Sequence, residues 1–188
     1  LNDGNNIPVL ALGTGGSAFG YISTAVLWAI EAGYRHIDTA AIYKDEEQVG
    51  RGIADAITRG LVTREELFVT TKLWCDKHKT EQVVPALQES LDKLGLDYVN
   101  LYLIHFPCAL EETADVIDYL DTWKGMEEAK KLGLTKSIGV SNLNKEQLER
   151  IISNCNTKPA VNQIEVSCSL YTPLLFIIGF FILNLLMY

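Results

Sequence analysis

LFVTTKLWCDKHKTEQVVPALQESLDKLGLDYVNLYLIHFP, residues 67–107, is the stretch on which the fold turns. Its two ends, Leu67–Leu73 and Tyr98–His105, are short, nearly continuous hydrophobic runs. That composition suits strands buried on both faces. Between them, Thr80–Leu94 carries Leu87, Leu91 and Leu94 on one stripe, as an amphipathic helix requires, with Thr80 placed to cap its N-terminus. Strand, helix and strand joined this closely imply a parallel pair with a right-handed crossover.

The same alternation extends in both directions. Further strand-like runs are Val9–Thr14, His36–Ala40, Thr135–Ser141 and Ala160–Val166. Further helices are expected over Asp45–Ile57, where Val49, Ile53 and Ile57 share a face and Gly60 provides a left-handed stop. Leu120, Trp123 and Met126 mark another before Gly133. Asn144 with Gln147 resembles a capping box ahead of Leu148, Ile151 and Ile152.

Alternating elements fit a doubly wound sheet or a (β/α)8 TIM barrel. The polar residues at the strand ends favour the barrel. Thr14, Asp38, Lys72, His105, Ser141–Asn142 and Gln163 each lie at or near the C-terminal end of a different run. A barrel gathers those ends at one mouth, where barrel enzymes build their sites. An open sheet spreads them along an edge, and Gly13-Thr14-Gly15-Gly16 lacks the dinucleotide-binding GxGxxG spacing. The expected fold class is therefore α/β, an incomplete TIM barrel with about six of eight βα units.

Bulk properties narrow the function. A net charge of −8 opposes nucleic-acid binding, which needs a basic face. Cys75, Cys108, Cys155 and Cys168 form no CxxC pair and no zinc-spaced cluster, so no metal site is expected and free thiols in a reducing compartment are. The N-terminus shows no signal peptide.

The strand ends offer a carboxylate (Asp38), an ammonium (Lys72), an imidazole (His105) and a phenol five residues after the carboxylate (Tyr43). A phenol ordinarily ionises near pH ~10 and is a poor acid at neutrality. A neighbouring ammonium eases its ionisation, and a carboxylate can hold that ammonium in place. With an imidazole to orient a carbonyl, the set can protonate an oxygen that becomes negative as hydride arrives.

These residues stand in the motifs of a known family. GYRHIDTAAIYKDEEQVG (33–50) resembles the first aldo-keto reductase signature, LFVTTKLW (67–74) its lysine strand and VNLYLIHFP (99–107) its histidine strand. MEEAKKLGLTKSIGVSNL (126–143) resembles the second signature, with Leu143 where Phe or Tyr is usual. NQIE (162–165) resembles the strand bearing the nicotinamide-binding Gln. The resemblance covers nearly all of residues 5–166. It implies an NADPH-dependent reductase of aldehydes and ketones, cytoplasmic and monomeric in its full-length form. Tyr43 would be the general acid, eased by Lys72, which Asp38 pairs. His105 would orient the carbonyl. Gly13, Thr14 and Asp38 would approach the cofactor ribose, and Ser141, Asn142 and Gln163 would hold the carboxamide. Trp74 and Phe106 would line the substrate pocket beside His105.

The chain departs from the family in three places. Gly15 stands where many members have an aromatic residue. The segment between Pro107 and Asp118 is short for the family's substrate loop. The reductase domain is expected over 1–171, followed at 172–188 by the hydrophobic tail TPLLFIIGFFILNLLMY, where two further βα units would supply the nicotinamide-stacking aromatic and the 2′-phosphate cluster. The tail reads as the end of a truncated chain or isoform. Alternatives are a membrane anchor through 174–188, short of the ~20 apolar residues a span needs, and a cover for an open strand edge. The competing function is an inactive fragment that binds a membrane or a partner.

Overall fold

The computed structural model describes residues 1–16, 20–109 and 117–165. Within them lies a six-stranded parallel sheet in the order β1-β2-β3-β4-β5-β6, flanked by five α-helices. The strands are β1 (Leu12–Gly13), β2 (His36–Asp38), β3 (Phe68–Leu73), β4 (Val99–Ile104), β5 (Thr135–Ser141) and β6 (Asn162–Gln163). The helices are α1 (Ile22–Glu31), α2 (Glu46–Thr58), α3 (Thr80–Leu94), α4 (Tyr119–Lys131) and α5 (Lys145–Asn154). Sequential strand order with a helix in each crossover is the pattern of a barrel being closed, and the described strands form an incomplete TIM barrel whose open edges are β1 and β6. The tail 172–188, Val166 and Cys168 lie outside the described residues. Among the described residues no helix is long and apolar enough to cross a membrane, and no His, Cys, Asp and Glu group could hold a metal.

Register decides which side chains meet. Residues paired across a parallel ladder point to the same side, and each strand alternates its sides with period two. The pairs Gly13↔Asp38, Asp38↔Thr70, Lys72↔Leu103, Leu103↔Gly139 and Ser141↔Gln163 therefore share one face. That face is the barrel interior. Phe68, Leu101, Leu103 and Val161 pack there as a small apolar plug, with Leu1 and Ile7 against it. Gly139 is required in this layer, because a Cβ would stand 2.6 Å from the Val161 carbonyl oxygen and 2.7 Å from Leu103 Cδ2. The larger core lies on the other side of the sheet, where Val69, Leu73, Tyr102, Ile104, Ile138 and Val140 meet the helices.

Several boundaries differ from expectation. Of Val9–Thr14 only Leu12 and Gly13 join the sheet, and Val9 and Leu10 are 74% and 65% exposed. Their hydrophobicity suggested a doubly covered strand. The neighbouring β2 is only three residues long and offers them no partner. β6 is likewise shorter than Ala160–Val166, although backbone bonds from Ala160 to Ile138 and from Val140 to Val161 continue its ladder. Thr80 is the first residue of α3, not its cap. Lys79 occupies the cap position, and its N–H donates to the Gln82 side chain. Thr80 Oγ1 instead donates to the Asp121 carbonyl, tying α3 to α4. The capping box at Asn144 and Gln147 forms as expected, with reciprocal bonds of 2.9 and 3.0 Å. Helix α1 lies outside the elements expected from sequence. ISTAVLWAIE has apolar residues almost all round, so its buried stripe of Ile22, Val26 and Ile30 stands out poorly.

The helical layer packs through close backbone approach. Helix α2 passes the end of α3 at Gly50, where a Cβ would sit 2.3 Å from the Leu94 carbonyl oxygen. Backbone on both sides cannot yield cheaply. Gly50→Ala should destabilise the chain by about 2–3 kcal/mol through forced separation of the two helices. Urea denaturation should show a lower midpoint with an unchanged slope. An unchanged midpoint would mean that the two helices do not pack this closely.

Candidate active site

Four side chains meet at the C-terminal ends of β2, β3 and β4. Asp38 ends β2, Lys72 is the fifth residue of β3, and His105 follows β4. Tyr43 arrives by a different route. Just after β2 the chain turns through a 3₁₀ turn, Ala41–Tyr43, which closes on Lys44 in the left-handed region at φ +57°. That turn swings the phenol back over the strand ends.

Asp38 and Lys72 form an ion pair with side chains only 4% and 2% exposed. Lys72 Nζ also donates to the Thr39 carbonyl at 3.0 Å, and the second carboxylate oxygen of Asp38 accepts from Gln163 Nε2 at 2.8 Å. The ammonium lies 5.3 Å from the Tyr43 ring centroid. Tyr43 and His105 stand edge to face at 5.7 Å. The structure thus brings all four residues together, with Lys72 bonded to Asp38 and facing Tyr43.

His105 is sandwiched by aromatic side chains. Trp74 meets its ring edge-on at 5.2 Å, and Phe106 stacks on it at 5.2 Å and 8°. Burial, helped by the nearby Lys72 charge and opposed by Asp38, pushes its pKa down to about 4. The ring is therefore neutral near pH 7, and its buried Nδ1 has no hydrogen-bond partner among the described residues. A neutral imidazole can hydrogen-bond a polar group but is a poor proton source. Trp74 and Phe106, 6.1 Å apart, supply an apolar wall beside it.

On the other side, β5 and β6 supply polar groups. Asn142 adopts φ +61°, a conformation Asn tolerates better than most residues. Its N–H donates to the Gln163 carbonyl at 2.9 Å, and its Nδ2 donates to the His105 carbonyl at 3.0 Å and to Ser141 Oγ at 3.1 Å. Ser141 Oγ in turn donates to the Gln163 carbonyl at 2.8 Å. Gly13 ends β1 in register with Asp38. The Thr14 hydroxyl, expected to face a ribose, is turned to Thr39 at 3.0 Å, and Thr39 passes the chain of bonds to Asp45 at 2.9 Å.

The sequence reading missed Thr39, and it named Gln163 without foreseeing its bond to Asp38. Thr39 grips Lys72 through its carbonyl, and no residue-type pattern marks a backbone acceptor. Gln163 bonds Asp38 across 125 positions of chain, a contact that only closure of the sheet creates.

The aldo/keto reductase family model matches residues 11–173. This chain belongs to the aldo/keto reductase family. It is 64% identical over 175 residues to aldo-keto reductase AKR2E4 of Bombyx mori, covering 89% of this chain and 57% of that protein. It is 47% identical over 183 residues to human aldo-keto reductase family 1 member C1, covering 88% and 57% respectively. The crystal structure of the Bombyx mori AKR2E4 in complex with NADP superposes with a TM-score of 0.84 at 65% identity, over 88% of this chain and 57% of that one. The aldose reductase of Schistosoma japonicum gives 0.83 at 40% identity, over 88% and 59%. The chain thus spans a little over half the length of the reductases it matches.

Burial of the imidazoles has a consequence for acid stability. His78, fully buried with neither ring nitrogen bonded among the described residues, also has its pKa pushed down to about 4 by burial. Between about pH 4 and 6.5 the unfolded chain binds protons at both residues that the folded chain refuses. Their contribution is fully present above pH 6.5 and is lost as the pH falls towards 4. Glu46, whose pKa burial raises, pulls the other way above its ordinary value of 4.5. In a His78→Asn variant the fall in urea-unfolding free energy from pH 6.5 to 4 should be shallower. An identical slope would show that His78 titrates normally in the folded chain.

Proposed function

We propose that this chain carries the carbonyl-reducing end of an NADPH-dependent aldo-keto reductase, one that converts aldehydes or ketones to alcohols. The observation that carries the reading is the buried Asp38–Lys72 pair set against Tyr43, with a neutral His105 at the phenol's edge. The residues fit the cofactor: Ser141 and Gln163 share one rung of the sheet with Asn142 just beyond it, and Gly13 ends β1 in register with Asp38, with Thr14 next in the chain. When bound, NADPH would supply the hydride.

The protein's own groups then have distinct tasks. Tyr43 gives its proton to the carbonyl oxygen as that oxygen gains charge. Lys72 offsets the charge left on the phenol, and Asp38 and the Thr39 carbonyl fix the ammonium for that purpose. His105 offers a ring N–H to the same oxygen. Trp74 and Phe106 exclude water and hold the apolar part of a small carbonyl substrate. Ser141, Asn142 and Gln163 hold the carboxamide, and Gly13 and Asp38 flank the ribose, while the Thr14 hydroxyl stays bonded to Thr39. In this reading residues 1–171 form the reductase domain of a monomer in the cytoplasm, and the free thiols of Cys75, Cys108 and Cys155 suit such a compartment. The silent membrane- or partner-binding fragment gains no support from the comparisons, and the tail on which it rested lies outside the described residues.

Protein carrying the complete barrel tests the acid directly. Tyr43→Phe should lower kcat for an aromatic aldehyde at least roughly hundredfold, the usual scale of general acid catalysis. Fluorescence titration should show NADPH affinity within about twofold of the parent, since the hydroxyl contributes to the reaction rather than to cofactor binding. Wild-type turnover in this variant would remove Tyr43 from its role.

A further inference from the structure

Two cysteines that share no sequence motif meet at the rim of the sheet. Cys75 opens the short 3₁₀ turn Cys75–Lys77 that follows β3, and Cys108 comes just after β4, next to Pro107. Strands β3 and β4 end side by side: Leu73 is paired with Ile104, and the His105 N–H donates to the Leu73 carbonyl at 3.1 Å. The two segments leave the sheet together, with Trp74 and Phe106 in ring contact at 6.1 Å. Just beyond those rings the thiols of Cys75 and Cys108 come within side-chain hydrogen-bonding contact.

The two thiols differ in access. Cys75 is 1% exposed. Burial, with Cys108 beside it, pushes its thiol up to about 12. It therefore stays protonated near neutral pH, and an oxidant in solution does not reach it. Cys108 is exposed and stands on irregular chain outside the strand ladders. Cys155 lies elsewhere, at the end of α5, with its thiol turned to the Ile152 carbonyl at 3.6 Å.

We propose that Cys75 and Cys108 are a peroxide-sensitive thiol pair, which closes to a reversible disulfide and staples the loop after β3 to the loop after β4. Cys108 is the point of entry. Its sulfur attacks hydrogen peroxide and the O–O bond breaks. One oxygen stays on Cys108 as a sulfenic acid, and the other leaves as water with the thiol proton. The Cys75 sulfur then attacks the Cys108 sulfur. The S–S bond forms, the S–O bond breaks, and the departing hydroxide takes the Cys75 proton to leave as a second water. The two sulfurs together lose two electrons, and the peroxide gains them. An added dithiol reverses the change by exchange. Contact between the sulfurs offsets the weak nucleophilicity of a buried, protonated thiol, and the unladdered Cys108 backbone can adjust to disulfide geometry. The pair rests as thiols in a reducing compartment and closes under oxidant load. Closure fixes the spacing of Trp74 and Phe106. The proposal needs nothing from the reductase reading, and neither result below bears on that reading.

The test treats the reduced 188-residue chain with a small molar excess of hydrogen peroxide. Catalase then removes the oxidant, N-ethylmaleimide in urea blocks the remaining thiols, and tryptic peptides are mapped by mass spectrometry. Cleavage after Lys72, Lys77, Lys93 and Lys124 puts the two cysteines on separate peptides, 73–77 and 94–124. The expected product is those two peptides joined, two hydrogens lighter than their sum, released by dithiothreitol, with Cys155 carrying the maleimide. The joined fraction should not change on about tenfold dilution, as closure within one chain requires. Chain unfolded in urea before oxidation should lose the preference and give mixed pairings. Cys108→Ser, at an exposed position, should abolish the joined species and leave Cys75 fully blocked by maleimide. Cys108 oxidised to sulfinic acid while Cys75 stays free would overturn the proposal. So would Cys108 joined instead to Cys155 or Cys168, the same mixture from folded and unfolded chain, or undiminished oxidation of Cys75 in Cys108→Ser.

Discussion

A carboxylate and an ammonium taken out of water need each other. Asp38 and Lys72 are 3% and 2% exposed, inside a barrel otherwise plugged by Phe68, Leu101, Leu103 and Val161. Removing one partner of such a pair leaves a buried charge uncompensated, at a cost of about 3–5 kcal/mol. That constraint organises what surrounds it. The Thr39 carbonyl and the Gln163 amide complete the hydrogen bonds of the pair, β2, β3 and β6 are held to one register, and the 3₁₀ turn after β2 brings Tyr43 to the ammonium. A hydrophobic pair of the same volume could pack as well.

Much of this was legible in the sequence because strand ends in a parallel barrel all face one way. Asp38, Lys72 and His105 could be assigned to one mouth from their positions after hydrophobic runs, and β5 was bounded correctly at Thr135–Ser141. Tyr43 was found through its motif, since nothing in its local pattern foretells the left-handed Lys44 that turns it inward. Where the reading failed, a neighbour decided the outcome. Val9 and Leu10 lie beyond the ladder of a three-residue partner. Thr80 gave up capping for the Asp121 carbonyl on the next helix. The Gln163–Asp38 bond joins the last described strand to the second, and spacing cannot announce such a contact.

Family membership and site geometry support each other at different levels. The match over residues 11–173 establishes ancestry. The neutral imidazole and the buried ion pair describe the local chemistry of the strand ends. This chain spans a little over half the length of the reductases it matches. Binding energy gained far from the reacting carbon helps to position it.

The measurement that goes most directly to the chemistry is isotope transfer in a single turnover. NADPH carrying deuterium at both C4 positions of the nicotinamide and an aromatic aldehyde are mixed with excess protein, and the alcohol is analysed by mass spectrometry. The account predicts deuterium on the alcohol carbon, formed at least roughly a hundredfold more slowly when Lys72 is replaced by Met and the phenol loses its cation. Unlabelled alcohol, or labelling at the same rate in Lys72→Met, would contradict it.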